Sequence, residues 1–192
     1  MSKGAPVKRS LGLMLFSVLM MPARPTAAAV FSDRLCPAAV DPVQRYTALV
    51  NDPKALADDA VAAANRIAAV YDLCATGYRS NGNIELVHYA EVRSAQYHFA
   101  AGRLLRLEDN NDAARAAFAA ALQGVRETID WKEASQSYRS SNGTGGTSVG
   151  HNSSSLRSSY YGSAVSIRDA VKAEMAEMAK PAAPSPPPSS KL

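Results

Sequence analysis

Residues 54–78 carry Leu56, Val61, Ala64, Ile67, Ala68, Tyr71 and Cys74 mostly at three- and four-residue steps. That spacing stacks one apolar stripe along a helix and predicts a long amphipathic element. Ser80-Asn81-Gly82-Asn83 ends it. A second long helix is predicted over 84–107. A polar turn, Glu108 to Asp112, leads to a third from Ala113 to about Glu133, with Asn111 or Asp112 as its cap. Upstream, Asp41-Pro42 reads as the capped start of a short helix reaching Val50. Asn51-Asp52-Pro53 reads as the next cap and proline start. Short links between long helices predict antiparallel neighbours. No segment keeps a period of two, so the expected fold class is all-α, built from antiparallel helical hairpins over residues 30–137.

The flanks differ in pattern. Residues 138–159 hold Gly143, Gly145, Gly146, Gly150 and many serines, and are expected to form a disordered loop. Residues 160–180 return to helical spacing, with Ala164, Ile167, Val171, Met175 and Met178 on one face. This amphipathic helix either completes the core or docks on a partner, and the first is favoured. Residues 181–192 are proline-rich and read as a disordered extended tail.

The amino-terminal 29 residues have another purpose. Lys3, Lys8 and Arg9 precede an apolar run over 11–21. Pro22 and Pro25 break the run, and Ala27-Ala28-Ala29 closes it with small side chains. These are the parts of a secretory signal peptide, so the chain is expected to be exported, periplasmic or secreted, and to start near Val30. The run is about half the roughly 20 residues that span a bilayer, so no stable anchor is expected after cleavage.

Removing the signal changes the charge. Four of the 21 basic residues lie before position 30 and all 17 acidic residues lie after it, so the remainder carries 17 of each sign. A neutral chain gives no electrostatic case for nucleic acid. Cys36 and Cys74 are the two cysteines. In an exported chain an even pair predicts one disulfide, tying the lead-in to the first long helix.

In residues 95–126, Gly102 marks a close approach of two helices, with Leu105 one turn on. Ala114, Phe118 and Ala121 follow on the return helix after the polar turn. Gly102, Leu105, Ala114, Phe118 and Ala121 fall at the spacing of a tetratricopeptide repeat, and the segment resembles one such unit. His98 stands where the family has a bulky aromatic, and Arg126 where it has its closing proline. The resemblance implies a groove for an extended peptide or a partner's helix, and no reaction. On that basis Arg93, Tyr97, Arg103 and Arg106, on the first helix of the hairpin, are candidate partner-binding residues.

Catalytic signatures are missing. There is no Gly-x-Ser-x-Gly, and Gly143-Thr144-Gly145-Gly146 lacks the Lys-Ser/Thr ending of a phosphate loop. Glu85, His88 and Glu91 share a helix face and offer the outline of a metal site. A second Glu-x-x-His, which a di-metal bundle requires, does not occur. The sequence therefore reads as a non-catalytic interaction module with no cofactor, binding an unidentified protein or peptide. The alternative is a small helical metal- or ligand-binding protein using the Glu-x-x-His face.

Overall fold

The computed structural model describes residues 35–141 and 153–180. The signal-like segment, the glycine-rich stretch 142–152 and the proline-rich tail lie outside the described residues. A 3-10 turn, Pro37–Ala39, leads into α1, Val40–Asn51. Four long helices follow: α2, Ala57–Ser80; α3, Ile84–Leu107; α4, Asn111–Ser141; and α5, Ser153–Met178. The fold is all-α, with no strand among the described residues. No described helix is long and apolar enough to cross a membrane.

The central element is α3. Paired residues fix the direction of its neighbours. Arg79 near the end of α2 meets Glu91 near the start of α3, while Tyr71 meets Tyr97. On the other side His88 meets Thr128, Ala95 meets Gly124 and Gly102 meets Phe118. Both neighbours therefore run antiparallel to α3. Tyr160 touches Tyr89, and Glu174 touches Arg103 and Arg106, so α5 runs parallel to α3 across the α3–α4 hairpin.

Turn chemistry makes these reversals. After α2, Asn83 N donates to Tyr78 O and Gly82 N to Arg79 O, with Gly82 at φ 68°. After α3 the same two-bond closure joins Asn110 N to Leu105 O and Asp109 N to Arg106 O, with Asp109 at φ 58°. Both are Schellman closures, with Asp109 taking the left-handed position that glycine usually fills.

Several expected boundaries move. The 3-10 turn runs directly into α1, so Ala39 is the cap. Asp41 and Pro42 lie inside the first turn, where backbone N–H groups are unpaired in any case. Asp52 Oδ1 accepts from Lys54 N in a local turn, and α2 starts later with Leu56 as its cap. The cap of α4 is Asn110, whose Oδ1 accepts from Ala113 N, rather than Asn111 or Asp112. Helix also covers 138–141 and 153–159, which the sequence pattern assigned to a loop. Extending an existing helix adds one hydrogen bond per residue fixed, so serine-rich ends can continue without an apolar face.

Three apolar clusters result. Val92, Ala95 and Phe99 pack with Ala114, Phe118, Ala121, Val125 and Ile129 of α4 and with Ala164, Ile167 and Val171 of α5. Leu105 and Met178 lie partly buried against this cluster, whereas Met175 is exposed. The carboxy-terminal helix thus folds onto the core. A second cluster joins α1, α2 and Leu104. The third gathers Cys36, Ala39, Ile67, Tyr71, Ala75, Tyr89 and Ala90. Cys36 and Cys74 form a disulfide with Cα atoms 6.1 Å apart, inside the usual range.

Two outcomes test this packing. A Cβ at Gly102 would lie 2.5 Å from the Phe118 ring, whereas one at Gly77 would meet nothing within 4 Å. Gly102→Ala is expected to lower unfolding stability by about 1–3 kcal/mol through overpacking. Gly77→Ala is expected to raise it by about 0.5–1 kcal/mol through helix propensity. Urea denaturation reads both signs. Cys36→Ser with Cys74→Ser opens a loop with a sequence separation of 38. By the chain-entropy argument it should cost about 4 kcal/mol in the same measurement.

Candidate functional site: a polar cleft beside the central helix

Two surface recesses hold charged side chains. The larger, of about 340 Å³, is lined by Asp72 and Arg79 from α2, by Glu91, Ser94 and His98 from α3, and by Ala120, Gln123, Gly124 and Glu127 from α4. Spacing on α3 explains its share: positions 91, 94 and 98 form one stripe of an α-helix, turned between its two antiparallel neighbours. Gly124 lets α4 approach, since a Cβ there would come within 3.2 Å of Ala95 Cβ and 3.3 Å of the Glu91 carbonyl oxygen.

A guanidinium bridges the cleft. Arg79 Nη2 donates to Glu91 Oε1 at 2.5 Å and to Glu127 Oε2 at 3.2 Å, linking carboxylates on two helices. The second Glu91 oxygen lies 3.4 Å from His88 Nδ1 and has no hydrogen-bond partner. Burial pushes the His98 imidazole below its ordinary pKa, and the nearby Asp72 carboxylate opposes this only in part. The Ser94 hydroxyl belongs to a residue only 3% exposed and makes no hydrogen bond among the described residues.

The smaller recess, of about 260 Å³, lies between Arg103, Arg106, Leu107 and Glu174. Arg103 Nε reaches Glu174 Oε1 at 3.1 Å, and Arg106 Nη1 bonds Glu174 Oε2. Both arginines are therefore committed to the chain's own last helix. They are two of the four residues expected to meet a partner. The pairing spans 68 residues for Arg106, beyond any local sequence pattern.

Arg93 and Tyr97, the other two candidates, also make contacts within the chain. The Arg93 guanidinium lies over the Tyr71 and Tyr97 rings at 5.5 and 5.8 Å, and Nη1 donates to Gln96 Oε1. Tyr97 stacks on Tyr71 and meets Tyr46 edge-on. Burial works against the Arg93 charge, but the surrounding Tyr71, Tyr97 and Tyr89 outweigh it and hold its pKa above the ordinary value. Burial, reinforced by Tyr97, pushes the Tyr46 hydroxyl up to about 12. These residues bind helices to one another.

Of the Glu-x-x-His face, His88 and Glu91 stay together, with Nδ1 3.4 Å from Oε2, while Glu85 lies apart. His88 is buried, with Nδ1 3.2 Å from Thr128 Oγ1 and its ring 4.9 Å from Trp131. Glu85 acts on Tyr160, while Glu91 turns into the cleft. Among the described residues no group of three His, Cys, Asp or Glu side chains is arranged to hold a metal ion. Ser94, His98 and Asp72 share the cleft, yet no hydrogen bond joins Ser94 to His98 among the described residues. The helical backbone around them spends its N–H groups internally, leaving none to stabilise an oxyanion. Charge recognition is the chemistry this arrangement supports.

No protein-family model matches the chain, and no curated protein or solved structure shows significant similarity to it.

Glu174 provides a direct check on α5 docking. Glu174→Gln removes the carboxylate that two partly buried arginines share. It is expected to lower unfolding stability by about 1–2 kcal/mol, measured by urea denaturation.

Proposed function

We propose that this chain is an exported, non-catalytic helical protein that recognises a protein or peptide partner through the cleft between α2, α3 and α4. The observation that carries the reading is the cleft itself. It is an open polar recess on a scaffold whose other candidate contact residues are used internally. Its lining comes from three helices held by packed apolar clusters, which favours a preformed recognition site. The Gly102–Phe118 contact supports the tetratricopeptide-like reading of the α3–α4 hairpin. The groove role implied by that resemblance moves from the arginines of α3 to the polar cleft. Export is supported by the signal-like start and by the disulfide, which is compatible with an oxidising compartment. The absence of catalytic motifs from the sequence supports the non-catalytic part.

Two measurements test this reading. Intact mass of the protein from its native envelope or secreted fraction should begin near Val30, with both cysteines inert to thiol label until reduction. A full-length chain with two free thiols would remove export. Partner capture from that fraction by the mature chain should be lost on Gln123→Trp, which fills the mouth of the cleft without changing its charge. Capture that is unchanged in a natively folded Gln123→Trp would remove the cleft from the function.

A further inference from the structure

The electrostatics of the cleft are unbalanced. Asp72, Glu91 and Glu127 supply three carboxylates, and Arg79 supplies one guanidinium. His98 adds no compensating charge at neutral pH, because burial favours its neutral form. Glu91 is only 13% exposed, so its charge acts in a region of reduced dielectric, where opposite charges attract more strongly than in water. Its Oε1 meets Arg79, while Oε2 is buried 3.4 Å from His88 Nδ1 and has no hydrogen bond among the described residues. The Ser94 hydroxyl on the cleft wall is also without a hydrogen bond among the described residues.

Arg79 shows which chemical group suits this site. Its Nη2 already spans Glu91 on α3 and Glu127 on α4. Yet its side chain is 54% exposed and stands on the last turn of α2, so rotating it outward breaks no apolar packing on the core. It acts as an internal stand-in that an incoming cation can displace. A cation entering beside it would meet the two carboxylates that Arg79 leaves uncompensated. An anion would be repelled there, and an apolar group would strip water from carboxylates without replacing the hydrogen bonds.

We propose that the cleft binds one guanidinium or primary ammonium group carried on a short alkyl stem. Glu91 and Glu127 accept its N–H bonds, Asp72 sits at the rim and Ser94 offers a further acceptor. The proposal rests on the cleft being the recognition site. Its volume of about 340 Å³ is at the small end of ligand pockets, room for one basic side chain rather than a folded element. The source is an arginine or lysine of a partner peptide, or a free alkylamine.

Calorimetric titration of the folded mature chain at low ionic strength tests this. The probes are agmatine, a short arginine peptide, and the same peptide with neutral citrulline in place of arginine. Saturable one-to-one binding of a cationic probe is expected, with none for citrulline. Glu91→Gln combined with Glu127→Gln should weaken binding about tenfold or more. Arg79→Ala removes the internal competitor and should tighten binding several-fold, an effect that a purely structural role would not give. Binding of the arginine peptide alone assigns the cation to a partner's side chain, whereas binding of agmatine as well shows that the group suffices. Either result supports the proposal. It is overturned if natively folded chain shows no saturable binding to millimolar probe, if citrulline binds equally, or if the carboxylate substitutions change nothing. Loss of partner capture in Gln123→Trp alongside any of those results would sink the cation and leave the interaction function standing.

Discussion

The distance between α3 and α4 governs the rest of the molecule. At one end Phe118 occupies the space where Gly102 would carry a side chain. Nearer the other end, Gly124 lies against Ala95 and the Glu91 carbonyl. Two helices brought this close need small residues at the points of contact, and Ala95, Gly102, Ala114, Ala121 and Gly124 supply them, while Val92, Phe99, Phe118, Val125 and Ile129 fill the space between. Other large residues of α3 lie on its flanks. There they meet α2 on one side and α5 on the other, which is why α3 has no wholly solvated face over much of its length. The mean spacing of apolar residues on α3 gives little sign of this, because a helix surrounded on several sides loses its single stripe.

A helix enclosed in this way must satisfy its polar residues within the fold. Arg93 does so with tyrosines: Tyr71 Oη lies 3.4 Å from its Nε, and two rings cover its guanidinium. Arg103 and Arg106 do so with Glu174 of α5. His88 uses Thr128. Each solution pairs a charged or polar group with a partner from a different helix, and an unpaired alternative would carry a desolvation cost. The same principle makes the region around Glu91 distinctive, since one Glu91 oxygen, His88 Nε2 and the Ser94 hydroxyl remain without such partners among the described residues.

Much of the architecture was legible in the chain. The apolar spacing identified the long helices, the breaks at Asn81-Gly82 and Asp109-Asn110 located the turns, and Ala164, Ile167 and Val171 marked the buried face of α5. The cysteine pair followed from compartment logic. Cap positions were less legible, because a 3-10 turn at Pro37 and a left-handed Asp109 set them, and both depend on how the chain enters and leaves a packed helix. The site was the least legible. Asp72, Arg79, Glu91, His98 and Glu127 come from three helices and form no linear motif. Conversely, Arg93, Arg103 and Arg106 look like solvated cations in sequence, since nothing local shows that Tyr71 or Glu174 will reach them.

The disulfide and the cleft are linked through α2. Cys74 lies between Tyr71, which anchors the aromatic cluster, and Arg79, which bridges the cleft. Closing Cys36 onto Cys74 fixes the lead-in against this stretch of helix, while the contacts of the Tyr71 ring with Tyr89 and Tyr97 hold α2 to α3. A cleft assembled from side chains on three helices keeps its geometry only while those helices hold their spacing. The glycines set that spacing on the α4 side and the tyrosine cluster sets it on the α2 side. A short domain with a modest core gains from such a covalent constraint, because reducing the freedom of the unfolded chain stabilises the fold without adding apolar surface. Glu91, Ser94 and His98 of α3 then keep their places in the cleft between two fixed walls.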